Sequence, residues 1–128
     1  MIRVLLAEDQ AMVRGALTAL LNLESDIEVL GSVADGEAAW RELQRLKPDV
    51  LVTDIEMPGR DGYELLEAAR AVAGRSQPFA AVAVTAYARD VDRRRSLDAG
   101  FDLHLSKPVD PDDLVAAIVS LTMPLDVR

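Results

Sequence analysis

Residues 48–62, PDVLVTDIEMPGRDG, limit the fold more than any other stretch of the chain. Val50, Leu51 and Val52 form a short apolar run rich in β-branched residues, the composition of a strand buried on both faces. The run leads into Asp54, after which Pro58, Gly59 and Gly62 force a turn. A buried carboxylate is costly, so α/β folds place it at a strand end, beside the crevice that solvent reaches. A central strand delivering Asp54 into a crevice is therefore the frame for the rest of the chain.

The flanking sequence repeats this rhythm of strand then helix. Ile2–Ala7 reads as a strand ending on Glu8 and Asp9. A helical pattern follows in which Val13, Leu17, Leu20 and Leu21 share one face, broken at Asn22 and Ser25-Asp26. Residues 27–33 form a second strand, and Asp35-Gly36 supplies a turn and cap for a helix over 37–46, stopped by Lys47-Pro48. Beyond Asp54, a helix over 62–72 turns Leu65, Leu66 and Ala69 inward, and 73–78 reads as a loop. Residues 79–85 form a fourth buried strand ending on Thr85. The helix expected over 89–99, closed by Gly100, has a thin apolar face of Val91, Leu97 and Ala99 among Asp92, Arg93, Arg94 and Arg95, which predicts low local stability. Residues 103–105 make a short fifth strand, followed by Ser106-Lys107-Pro108 and a last helix to residue 121, capped by Asp110 with Pro111 in its first turn. Residues 123–128 read as a tail or the start of a linker.

Five such alternations predict an α/β fold over residues 1–122: a doubly wound, five-stranded parallel sheet, flavodoxin-like, with right-handed crossovers and helices on both faces. Composition narrows the function. The 128 residues carry a net charge of −8 and 4% aromatics, a poor match to nucleic-acid phosphates or base stacking. The Arg93–Arg95 run is read as a solvated helix face for the same reason. The absence of cysteine excludes disulfides, thiolate zinc sites and cysteine nucleophiles. With no membrane-length apolar run or secretory segment, a soluble cytoplasmic domain is expected, with neither membrane nor nucleic acid as a direct partner.

If strands one, three, four and five run the same way, their carboxyl ends gather Glu8, Asp9, Asp54, Thr85 and Lys107. Three carboxylates raise one another's pKa unless a cation sits among them, and hard oxygen ligands suit Mg²⁺. A hydroxyl from Thr85 and an ammonium from Lys107 complete a site for a tetrahedral, multiply charged group. Asp54 at the centre is then the natural nucleophile, forming an acyl phosphate while the metal and Lys107 neutralise charge. Taken singly, each residue also has an ordinary reading: a strand-end cap, a solvated acidic pair, a β-branched strand residue, a surface lysine. Met57 reads as turn packing.

With these residues in order, the chain resembles the receiver domain of two-component response regulators over essentially its whole length. The family's acidic pair, phosphoacceptor, hydroxyl and Lys-Pro correspond to Glu8-Asp9, Asp54, Thr85 and Lys107-Pro108, and DIEMPGRDG matches the phosphorylation loop. The resemblance implies that Asp54 takes a phosphoryl group from a histidine kinase or histidine phosphotransfer protein. It implies Mg²⁺ held directly by Asp9 and Asp54, through water by Glu8 and by the backbone carbonyl of Glu56. Thr85 and Lys107 would contact the phosphoryl group, Ala86 would leave it access, and the Lys107-Pro108 bond would be cis. The surface built from the helix at 89–100, the strand at 103–105 and the last helix would change its affinity for a partner, an output domain or a second copy of the chain. Such a domain has autophosphatase chemistry but is not a turnover enzyme on a separate substrate.

The resemblance departs from the common pattern at His104, the single histidine, which stands where relatives often carry Tyr or Phe. There a packing role with pH sensitivity near neutrality is expected. Glu56 and Tyr87 occupy variable positions flanking the site. The first half of the chain looks like regulators with helix-turn-helix outputs, the second like receivers of hybrid histidine kinases. Stand-alone, excised and recombined forms are all compatible with the sequence. Two other classes compete. A metal-dependent phosphohydrolase would need a cap and a general acid, for which Glu56 is a candidate; a flavodoxin-like cofactor binder would meet repulsion from Glu8 and Asp9.

Overall fold

The computed structural model describes residues 1–73, 79–87 and 89–122, except the side chains of 72 and 73. Ten elements alternate along it: β1 (Ile2–Ala7), α1 (Ala11–Asn22), β2 (Ile27–Val33), α2 (Gly36–Leu46), β3 (Val50–Asp54), α3 (Gly62–Ala73), β4 (Ala80–Thr85), α4 (Asp90–Asp98), β5 (Leu103–Ser106) and α5 (Pro111–Thr122). The strands form one parallel sheet in the order β2-β1-β3-β4-β5. The chain thus steps outward from β1 to β2, then returns across β1 to continue through β3. Strand order reverses between β1 and β3, and a crevice opens at their carboxyl ends there.

Alternation along the strands divides the core. Val4, Leu6, Val50, Val52, Val82 and Val84 meet Leu17 and Leu21 of α1 and Leu114 and Ile118 of α5 on one face. Leu5, Ala7 and Leu51 meet Ala39 and Leu43 of α2 and Leu65 and Ala69 of α3 on the other. Every residue of β3 is buried, as its apolar run requires. Asp35 caps α2, its carboxylate accepting the Ala38 N–H at 2.8 Å. Gly62 lets α3 start against the strand end: a Cβ there would lie 2.9 Å from the Asp54 carbonyl oxygen and from Ile55 Cα.

The sheet, the helices and the inward turn of Leu65, Leu66 and Ala69 follow the sequence expectation. Two expected faces do not. Leu20 of α1 is 39% exposed, because the face that meets the sheet is centred on Leu17 and Leu21. In α4, Val91, Leu97 and Ala99 all face solvent, and the one buried side chain is Ser96. Polar and aromatic contacts hold α4 instead: Ser96 meets His104, and the Arg95 guanidinium stacks 4.3 Å from the Tyr63 ring. Helix α3 extends to Ala73, and the rest of the expected loop, like the tail from residue 123, lies outside the described residues.

Candidate functional site

The crevice assembles from the ends of four strands. Glu8 and Asp9 follow β1, Asp54 ends β3, Thr85 ends β4 and Lys107 follows β5. The sheet register sets their spacing, with Asp54 beside Val84 and Thr85 beside Ser106. Backbone bonds tie the loops to the sheet: Lys107 N–H donates to the Thr85 carbonyl at 2.8 Å and Glu8 N–H to that of Val33 at 2.9 Å.

Glu8 and Asp54 are each 2% exposed, whereas Asp9 faces solvent. One oxygen from each of the three carboxylates can lie within 4.8 Å of the others. Lys107 Nζ bridges the buried pair, 2.8 Å from Asp54 Oδ2 and 3.1 Å from Glu8 Oε1. Asp54 Oδ1 is buried without a hydrogen-bond partner. Burial drives the Asp54 carboxyl upward; Lys107 opposes this, Glu8 and Asp9 add to it, and the result is pushed up to about 7. Burial also works against the Lys107 ammonium, but its bonds to Asp54 and Glu8 prevail and hold its pKa above the usual lysine value.

An orphaned carboxylate oxygen in a cluster of three acidic side chains, which among the described residues includes no sulfur or imidazole ligand, fits a hard divalent cation such as Mg²⁺. Lys107 alone leaves that oxygen unsatisfied. The residues present therefore suit both a cation and an anionic group next to it.

The Thr85 hydroxyl, read from the sequence as part of the phosphoryl site, is bonded to neighbours in this structure. Its Oγ1 donates to the Glu56 carboxylate, 3.0 and 2.9 Å from the two oxygens, and accepts the Tyr87 N–H at 3.0 Å. Ala86 and Tyr87, just past the end of β4, are exposed. Met57 packs against the core, its sulfur 4.0 Å from the Thr53 hydroxyl. The Lys107-Pro108 bond is cis, as the resemblance implies.

His104 is buried at 5% exposure and packs inward, its Nδ1 2.8 Å from Ser96 Oγ and its Nε2 without a partner. Burial, followed by the Arg93 charge, lowers its pKa below the usual histidine value. The pH sensitivity expected near neutrality therefore moves to the acid side. Neither the Glu56–Thr85 bond nor the Ser96–His104 bond was read from the sequence. The first joins residues 29 positions apart, and Ser96 lies off the thin apolar face of its helix.

Comparison with known proteins shows the family of the chain. The response regulator receiver domain family matches residues 4–119. A transcriptional regulatory protein of Bacillus subtilis, YvfU, is 40% identical over 92% of this chain, and a second from that organism, DesR, is 37% identical over 94%. The chain spans 58% of the length of each. Among solved structures, the receiver domain of a NarL regulator from Mycobacterium tuberculosis superposes with a TM-score of 0.85 at 26% identity, covering 93% of this chain and 94% of that one. The chain belongs to the receiver domain family of two-component response regulators.

Proposed function

We propose that this domain is a phosphorylation switch in which Asp54 accepts a phosphoryl group from the phosphohistidine of a kinase or phosphotransfer protein. The observation that carries the reading is the contact of Asp54 with Lys107 beside an unpartnered carboxylate oxygen in a three-acid cluster. An Asp54 oxygen attacks phosphorus, the P–N bond to the donor imidazole breaks, and the imidazole leaves with a proton. The product is an acyl phosphate on Asp54.

Asp9, Asp54 and the Glu56 carbonyl would hold Mg²⁺ directly and Glu8 through water; the ion would supply charge neutralisation for the transferring group. Lys107, already 2.8 Å from Asp54, offsets charge on the phosphoryl oxygens from the other side. Ala86 leaves the mouth of the site open, and Thr85 offers a hydroxyl to the modified aspartate. The added charge favours an arrangement of α4, β5 and α5 different from the one described here, changing what binds that face. Partner or second-copy binding through α4, β5 and α5 belongs to this reading. The domain's own hydrolysis of the acyl phosphate would reset it, with no separate substrate turned over. Among the described residues no helix is long and apolar enough to cross a membrane.

Incubation with Mg²⁺ and acetyl phosphate, followed by intact mass, tests the assignment. One labile phosphoryl adduct, absent from Asp54→Asn, is expected. Stoichiometric adduct on Asp54→Asn would overturn it, and steady phosphate release from added monoesters would instead favour a hydrolase.

A further inference from the structure

The Thr85 hydroxyl has a single proton, and that proton is already in use. It is shared between both oxygens of the Glu56 carboxylate at 3.0 and 2.9 Å. The oxygen also accepts the Tyr87 N–H, so Thr85 is bonded on both its donor and acceptor sides. A bond to an ionised acceptor is stronger than a neutral one, and a phosphoryl group on Asp54 can take the Thr85 proton only by displacing Glu56. The two acceptors are both anionic and two positions apart in the chain, so they also repel.

We infer that Glu56 is a positioning residue that competes with the phosphoryl group for the Thr85 hydroxyl and so biases the unmodified domain toward its inactive arrangement. This inference rests on the reading of Asp54 as phosphoacceptor. The carboxylate has somewhere to go when displaced. A cleft of about 320 Å³ adjoins it, with Arg89, Arg95, Asp61, Asp92 and Tyr63 on its walls. A released Glu56 side chain would there face the Arg95 guanidinium, which stacks on Tyr63 and makes no ion pair among the described residues, whereas Arg89 is held by Asp92 at 2.9 Å. Phosphorylation would thus exchange one set of contacts on the β3–α3 loop for another, linking that loop to α4 through Arg95.

The test uses the full chain with beryllofluoride and Mg²⁺ as the phosphoryl mimic, comparing wild type, Glu56→Gln and Glu56→Ala by amide and methyl resonances. Without mimic, the Thr85 methyl and Tyr87 amide signals of Glu56→Ala should move part of the way toward their mimic-saturated positions. The mimic should then saturate Glu56→Ala at a concentration lower by about ten-fold, the worth of one charge-assisted bond. Glu56→Gln, which keeps an acceptor but loses the charge, should fall between. A merely structural bond would not tighten mimic binding when removed. Unchanged or weaker mimic binding by a folded Glu56→Ala chain, with wild type binding normally, overturns the competition and leaves the phosphoacceptor reading standing. If wild type itself takes no mimic while Thr85 still responds to Glu56→Ala, the phosphoacceptor reading falls and the contact is structural only.

Discussion

Ser96 Oγ and His104 Nδ1 lie 2.8 Å apart in the buried contact between α4 and β5. The serine also reaches the Arg93 carbonyl at 2.9 Å, so this one hydroxyl joins the helix to itself and to the sheet edge. Ser96→Ala would leave both ring nitrogens of His104 without partners, at a cost of about 1–3 kcal/mol. The double variant Ser96→Ala/His104→Phe should cost less than the sum of the single changes, because no buried polar group is then stranded. Denaturant unfolding of the four proteins checks this; strict additivity would show that the bond carries no coupling.

The same histidine sets an acid-side dependence. Burial and Arg93 hold its folded pKa below the ordinary value of 6.5. Above pH 6.5 both folded and unfolded chains carry a neutral ring, and this contribution to stability is complete. As pH falls below 6.5 the unfolded chain binds the proton first, so stability is lost. Between pH 7 and about 5, wild type should lose stability relative to His104→Phe as pH falls, on top of any slope the two proteins share.

Asp54 has the opposite sign. Its carboxyl rises from 3.8 to about 7 on folding, so between those values the folded chain binds more protons than the unfolded one. Without Mg²⁺, the Asp54 contribution to stability should therefore fall as pH rises through this window, opposing that of His104. Asp54→Asn should flatten that slope and match or exceed wild-type stability at pH 8 by roughly 1–3 kcal/mol. A pH slope unaltered by Asp54→Asn would contradict the buried, proton-binding carboxylate.

Magnesium should reverse the penalty. Binding to the folded state alone raises the unfolding midpoint by mass action, more at pH 8 than at pH 5, where Asp54 holds its proton. Thermal shifts with and without chelator should show this rise in wild type and much less of it in Asp9→Ala. Equal shifts in the two proteins would remove Asp9 from the ligand set.

Gly62 and Lys107 test the scaffold around the phosphoacceptor. A methyl group at Gly62 would press on the Asp54 carbonyl and on Ile55 Cα, so Gly62→Ala should cost about 1–3 kcal/mol and slow phosphoryl uptake together. Lys107→Ala should keep Mg²⁺ binding but uncouple phosphorylation from shifts around Thr85 and His104. It should also push the Asp54 carboxyl higher, because the opposing hydrogen bond is gone. Mass spectrometry and amide spectra of the two variants distinguish these outcomes.

The sequence alone determined the alternation of strands and helices and the strand ends that carry Glu8, Asp9, Asp54, Thr85 and Lys107. These are properties of local periodicity and of residue type at a boundary, which a linear pattern records. It also determined the inward face of α3, where Leu65, Leu66 and Ala69 leave no competing arrangement. Tertiary structure decided what each polar group at those ends touches. Thr85 turned to Glu56 because the β3–α3 and β4–α4 loops meet above the sheet, and no spacing in the chain encodes a contact between loops. Helix α4 was decided in the same way. Its few apolar residues pointed to one face, but the sheet edge offered His104, a buried polar ring, and Ser96 was the side chain placed to bond its Nδ1. Apolar burial is read by periodicity, whereas a hydrogen bond needs its partner in place.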